Sequence, residues 1–284
     1  MNKLHFLNGR IVNEDELLIS PRDLGYSRGY AAFDFMITSG GRPFMMEKHI
    51  DRLFRSCEAI SLTVPWSKEQ IASWVLQTHA ANEPTENDVV IRVIISGGPS
   101  GTLALAKEPT VVIIIDDRIK CPAADYANGV RALLSEFERY EPQAKTSNYV
   151  EAIRQFNGVP GNIDEIIYYS NGTVREGTRA NVFALLNGNL VTPKTGILEG
   201  ITRGVIINEL QLSVPVEVRD LSVEELRSAS EVFITATGKE VMPVTTLDNS
   251  PVGDGSVGRV TKEVATKFRN FFESDLWQLQ TPGS

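Results

Sequence analysis

Hydrophobic positions along the chain fall into two recurring patterns. Residues 3–20 carry short apolar runs broken at Asn8-Gly9, a pair that supplies the positive φ angles of a tight turn, so the chain is expected to open as β-structure with a hairpin. From Glu47 to Ile60 the apolar residues Ile50, Leu53, Phe54, Cys57 and Ile60 return every three or four positions, the spacing of one buried stripe on a helix. A second helix is predicted from Ser67, where Ser67 and Gln70 have capping-box spacing. The runs at 89–96 and 110–115 are rich in β-branched residues and too short for helices, so they are expected as buried strands.

The apolar runs then stop. At 118–128, Pro122 and small or polar residues take over, so this stretch is expected as a linker between a small domain, 1–117, and a larger one, 129–284. Beyond it, strands are predicted at 129–135, 164–169, 180–186 and 230–235, with Asn171-Gly172 and Asn187-Gly188 as hairpin turns. Helices are predicted at 147–157, 201–211 and 257–273, and the tail after Leu279 is expected to fray. The fold class predicted from this pattern is α+β in two domains.

With 284 residues, 42% hydrophobic and 23% charged, the chain has material for a sizeable core. A formal charge of −8 and the absence of a Lys/Arg cluster argue against a nucleic-acid partner. No apolar run approaches the roughly 18 residues that span a bilayer, and MNKLHFLNGRIV lacks the apolar core of a leader, so no membrane association and a cytoplasmic location are expected. Cys57 and Cys121 suggest neither a disulfide framework nor a thiolate metal site. His5, His49 and His79 lack ligand spacing, and no metal is expected.

Four segments carry a pattern beyond secondary structure: EKHIDRL at 47–53, KTSNYV at 145–150, EGTRANVF at 176–183 and LEGITR at 198–203. ITATGKEVMPV at 234–244 makes a fifth. In this order, across about residues 5 to 270, they resemble the branched-chain and D-amino-acid aminotransferase family, the fold type IV enzymes that use pyridoxal 5′-phosphate (PLP). The resemblance implies two α+β domains with the cofactor between them. It also implies a homodimer in which a loop at 23–37 completes the partner's site, and ping-pong exchange between amino and keto acids.

Lys145 matches the lysine that carries PLP as a Schiff base and moves the substrate proton. Glu176 matches the carboxylate that keeps the pyridine nitrogen protonated, although sequence alone leaves open a salt bridge with Arg175 or Arg179. Arg52, Thr237 and the helix start at Ile201-Thr202 match the phosphate ligands, and Leu198 the residue packed on the ring.

Three subfamilies compete. The K-x-x-N spacing of Lys145 and Asn148 is that of D-amino-acid aminotransferases, which makes a D-amino acid the expected donor and 2-oxoglutarate an example of the acceptor. The T-R-G string that supplies their carboxylate-binding arginine is absent, and Ile95 stands in its place. Ile91-Arg92 resembles branched-chain enzymes, so an L-specific branched-chain enzyme is the second reading. 4-Amino-4-deoxychorismate lyase shares the K-x-x-N spacing but continues N-R, where this chain has Asn148-Tyr149. Arg28 replaces the family's usual aromatic residue, and its guanidinium could clamp a substrate carboxylate or instead pair with Asp23 or Asp34. Arg179 is a further candidate clamp, and Arg92 is expected to form a structural ion pair.

Overall fold

The structure, a computed structural model, describes residues 3–82, 87–159, 163–274 and 276–278. The chain forms two compact units. One takes in the chain up to Ile119 together with Ala144–Tyr149, Leu276 and Trp277; the other is Lys120–Gln143 with Val150–Ser274. Mixed helix and sheet in each unit make the chain an α+β protein.

The first unit contains β1 (Leu4–Leu7), β2 (Arg10–Asn13), α1 (Leu24–Arg28), β3 (Ala31–Ser39), β4 (Arg42–Pro43), α2 (Met46–Ala59), α3 (Lys68–Ala80), β5 (Val89–Ser96) and β6 (Thr110–Asp117). Its strands form one antiparallel sheet in the order β2-β1-β6-β5-β3-β4. The β1–β2 hairpin turns at Asn8 (φ 45°) and Gly9 (φ 92°). Strand alternation sends Ile91, Val93 and Ile95 of β5 and Ile113 and Ile115 of β6 to one face, where they pack on Ile50, Leu53 and Cys57 of α2 and Ile71 and Val75 of α3. Each such side chain contributes roughly 1.5–3 kcal/mol on full burial. Ser67 accepts from the amide of Gln70 and so caps α3.

The second unit contains α4 (Ala123–Asn128), β7 (Val130–Glu136), α5 (Val150–Gly158), β8 (Glu165–Ser170), β9 (Thr173–Gly177), β10 (Asn181–Leu186), β11 (Asn189–Thr192), α6 (Ile201–Asn208), β12 (Val216–Val218), α7 (Val223–Ser228), β13 (Glu231–Ala236), β14 (Glu240–Leu247), β15 (Ser250–Pro251) and α8 (Arg259–Glu273). Its sheet runs β12-β11-β10-β13-β14-β7-β8-β9, with β15 on β14, and β7 lies parallel to both β8 and β14. Asn171-Gly172 and Asn187-Gly188 both take positive φ and close the two hairpins. Val182, Ala184, Val232, Ile234, Met242 and Val244 build an apolar face under Leu226 of α7, while Phe183 and Phe233 stack 4.9 Å apart on the other face.

Several local expectations shift. The stretch 23–37 is not a loop: it holds α1 and most of β3, because AAFDFMI alternates apolar residues as a strand requires. The stretch 118–128 carries α4, begun at Pro122, and helix 147–157 starts only at Val150 because residues 144–149 join the first unit. The helix at 201–211 stops at Asn208, and β9, β11 and β14 add strands that the apolar runs did not separate. The tail beyond Leu279 lies outside the described residues.

Candidate active site

In the first unit the chemistry starts from parity. Asp34 shares the helix-covered face of β3 with Ala32 and Met36, so a carboxylate is buried where the sheet meets α2. His49, Arg52 and Ser56 lie on one stripe of α2 at three- and four-residue spacing. Arg52 donates from Nε and Nη2 to the two oxygens of Asp34 at 2.8 Å each, and His49 Nδ1 lies 2.7 Å from Asp34 Oδ1. Burial alone would raise the Asp34 pKa, but the Arg52 and His49 partners outweigh it and hold the carboxyl far below its usual range. His49 is shifted down from 6.5, first by burial, with the charges of Arg52 and Lys145 acting the same way against Asp34. His49 Nε2 is buried with no hydrogen-bond partner among the described residues.

Lys145 is fastened to this network through its backbone. Its amide donates to Ser56 Oγ at 3.0 Å, Ser56 Oγ donates to the carbonyl of Arg52 at 2.8 Å, and the Lys145 carbonyl accepts from Phe33 N at 2.9 Å. Its ammonium sits 4.6 Å from the centre of the Phe33 ring, a cation–π contact. Lys145 and Arg52, 93 positions apart in sequence, are thus tied through Ser56.

Arg28, at the end of α1, is exposed, and its Nη1 donates to the Ser27 carbonyl at 2.8 Å. Neither aspartate that could have paired with it does so. Asp23 is taken up by Gly25 N, Ser96 Oγ and Thr110 Oγ1, and Asp34 by Arg52 and His49. Arg92 forms no ion pair among the described residues, contrary to expectation; it lies against the Phe35 ring at 5.9 Å, because the register pairs it with Phe35 and no carboxylate. Ile95 is fully buried in the helix-side core, so an arginine at that position would face apolar side chains.

In the second unit, Glu176 near the end of β9 is buried and accepts from Arg139 Nη1 at 2.9 Å and from the Leu198 amide at 2.9 Å. Arg139 was not anticipated from sequence, since it lies 37 positions away in an irregular segment. Arg175 instead approaches Glu138 and Thr195, and Arg179 is exposed. The same Leu198 carbonyl-bearing residue accepts from Asn181 Nδ2 at 2.8 Å, which fixes the approach to α6. Leu198, Ile201 and Thr202 are buried, and Thr237 is half-buried in the β13–β14 turn.

The start of α6 is bare. Gly200 at its N-cap has no side chain to cap it, and a Cβ there would come within 2.0 Å of Asn181 Oδ1. The first amides of the helix therefore keep their donor capacity and the positive end of its dipole. Thr235 Oγ1 is buried with no partner among the described residues. A phosphate ester fits such a helix start, and the buried Glu176 carboxylate fits a cationic ring nitrogen, so the donor set is that of a phosphorylated pyridine. No group of histidine, cysteine and carboxylate side chains that could hold a metal ion occurs among the described residues, and no described helix is long and apolar enough to cross a membrane.

Comparison with known proteins gives a consistent family. The class IV amino-transferase model matches residues 31–247. A protein of Methanocaldococcus jannaschii, provisionally named a branched-chain-amino-acid aminotransferase, is 31% identical over 279 residues, covering 93% of this chain and 95% of its own. A D-alanine aminotransferase of Staphylococcus epidermidis is 29% identical over 276 residues, covering 95% and 98%. Among solved structures, the branched-chain aminotransferase of Thermoproteus uzoniensis with norvaline superposes with a TM-score of 0.89 at 26% identity, covering 98% of each chain.

Proposed function

The chain belongs to the class IV aminotransferase family and is a PLP-dependent transaminase acting on amino and keto acids, and we propose that its amino donor is a D-amino acid and its acceptor a keto acid such as 2-oxoglutarate. The observation that carries the D-specific reading is the K-x-x-N spacing of Lys145 and Asn148. Transfer from branched-chain L-amino acids is the second reading, favoured by the 31% identical relative.

Bound PLP supplies an electron sink for the substrate carbon that loses its proton. Lys145 would hold the cofactor covalently, and its amine would be the group that moves the substrate proton. Glu176, oriented by Arg139 and the Leu198 amide, would keep the ring nitrogen protonated. Arg52, the α6 amides at Ile201 and Thr202, and Thr237 are the groups that would hold the phosphate, and Leu198 the one that would pack on the ring. The two bonds from Asp34 fix the orientation of the Arg52 guanidinium.

Arg28 clamps the substrate carboxylate, with Arg179 the next candidate; Arg28 is exposed, and Asp23 and Asp34 are both engaged by other groups. The protein works as a homodimer in which α1 brings Arg28 to the partner's site; Tyr26 on the same helix is 78% exposed. Arg28→Ala should cost about 2 to 4 kcal/mol in transition-state binding of an amino acid, roughly 30- to 1000-fold in kcat/KM. An equal loss on a primary amine of similar side chain would remove Arg28 from this role.

A panel of D- and L-amino acids, scored by bleaching of the cofactor's visible band, tests the hand of the donor. Bleaching by D-amino acids alone is the expected result; bleaching by L-leucine or L-valine alone would replace the first reading with the second. Pyruvate release without an amino acceptor would point to a lyase.

A further inference from the structure

Two carboxylates stand close together in the chain on β8 and β9, and the cofactor reading uses only Glu176. The other, Glu165, is 0% exposed at the first position of β8. Its Oε1 accepts from the Ile166 amide at 3.2 Å, from the Thr178 amide at 3.0 Å and, in a short bond, from Thr178 Oγ1. Its Oε2 accepts from Lys239 Nζ at 3.0 Å, and the same ammonium donates to the Asp164 carbonyl at 3.1 Å.

Two of these partners, Thr178 and Lys239, each sit two residues beyond a residue assigned to the cofactor. Thr178 follows Glu176 in the turn that joins β9 to β10, and Lys239 follows Thr237 in the turn that joins β13 to β14. The backbone ties each turn to its own surroundings: Gly177 N donates to the Ala180 carbonyl at 2.6 Å, Thr178 N also to the Ile166 carbonyl at 3.0 Å, and Lys239 N to the Ala236 carbonyl at 3.1 Å, while the strands that adjoin the turns pair at Asn181 and Thr235. Glu165 adds the side-chain bridge between residues of the turns themselves. Position 177 is bare for a reason that points the same way. A Cβ there would lie 3.1 Å from the Glu165 carboxyl carbon, so glycine is what lets the carboxylate reach under the turn.

We propose that Glu165 is a positioning residue that locks the Glu176 turn and the Thr237 turn to one another, and thereby sets how tightly the protein holds PLP. The inference rests on the cofactor roles of Glu176 and Thr237 given above. Its chemistry is specific to a carboxylate. All four contacts come from donors, so the group must accept at both oxygens. Glutamine would place an NH2 against either the Lys239 ammonium or the Thr178 donors, and aspartate is one methylene too short to span both turns. Either change loosens the side-chain bridge between the two turns while leaving the paired strands β10 and β13 and their apolar face intact.

The test is PLP titration of apoprotein prepared from the holoenzyme, read by fluorescence, for wild type, Glu165→Gln and Thr178→Val, each below its own melting temperature. Glu165→Gln should raise the PLP Kd about 10- to 100-fold, the usual range for losing a group that orients a direct ligand. Thr178→Val deletes one hydroxyl and keeps the amide bonds, and should raise the Kd about 3- to 10-fold. Thr237→Val should cost less in the Glu165→Gln background than in wild type, because a released turn has already lost part of its contact. A Glu165→Gln protein that melts lower but binds PLP within about twofold of wild type would make Glu165 a purely structural residue and overturn the proposal. If Glu165→Gln fails to fold, Thr178→Val decides, and an unchanged Kd there overturns it. A wild-type protein that takes up no PLP would bring down the cofactor reading itself, whereas normal uptake with no variant effect sinks this inference alone.

Discussion

The two units hold their charged groups by different means. In the first, Asp34, His49 and Arg52 lie within β3 and α2, where strand parity and helix spacing turn them toward one another, and opposite charges fix them. In the second, Glu176, Leu198, Thr202 and Thr237 lie at a strand end, a helix approach, a helix start and a turn, where backbone amides, the partly exposed Arg139 and the Glu165–Lys239 pair do the holding. The difference teaches where a lost charge should be felt. Asp34, inside a regular element, is matched by fully buried partners, so its removal should appear in stability; Glu176, at an element end, is shared between a less buried arginine, a backbone amide and the ligand, so its removal should appear chiefly in function.

Asp34→Asn is the harshest way to break that contrast. It leaves the buried Arg52 guanidinium without its counter-charge, at a cost of about 3–5 kcal/mol. For a unit of this size that is a melting decrease of roughly 10 °C, measurable by calorimetry. A change of only a degree or two would mean that charge does not fix this network.

Glu176→Gln is the matched change in the second unit. The amide oxygen can accept from Leu198 N or from Arg139 but not from both, and Arg139 keeps its bond to the Pro142 carbonyl, so the melting curve should fall less than for Asp34→Asn. A neutral group cannot stabilise a protonated ring nitrogen, and the half-reaction should slow about 10²- to 10³-fold in stopped-flow spectra, the range seen when one preorganised electrostatic partner is lost. A near-normal rate with a large stability loss would make Glu176 only the structural partner of Arg139.

The smallest effect concerns pH. His49 titrates below its ordinary 6.5 in the folded protein because burial disfavours the imidazolium. The unfolded chain therefore binds this proton more readily, so the stability is fully present above pH 6.5 and is lost as pH falls through the lower folded value. His49→Asn should flatten the fall of melting temperature between neutral and mildly acidic pH. An unchanged slope would assign that fall to other groups.

The sequence made the regular elements legible and left most of what holds the site hidden. Apolar spacing gives α2 and α8, and three of the five Asn-Gly pairs, at 8–9, 171–172 and 187–188, give hairpins through their positive φ angles. The motif strings brought Lys145, Arg52 and Glu176 forward together. Asp34 stands out in the sequence only as a possible partner of Arg28, and its actual partners come 15 and 18 residues later on another element, beyond any periodic signal. Arg139 and Glu165 are tied to their partners by tertiary contacts across 37 and 74 positions, and no local pattern reports such a pairing. Residues 144–149 are too few to show a period, which is why their place in the first unit emerges only from the backbone bonds of Lys145 and Ser147 to β3.

The central claim is that Lys145 is the residue that carries the cofactor, and covalent fixation reads it directly. Borohydride reduction of the PLP-loaded protein, followed by digestion and mass mapping, should place the phosphopyridoxyl group on the peptide holding Ala144-Lys145-Thr146, and Lys145→Ala should lose both the label and amino transfer, by more than about 10⁴-fold. Label retained in Lys145→Ala at another lysine such as Lys48 or Lys239, or no label on the wild-type protein, would contradict the account.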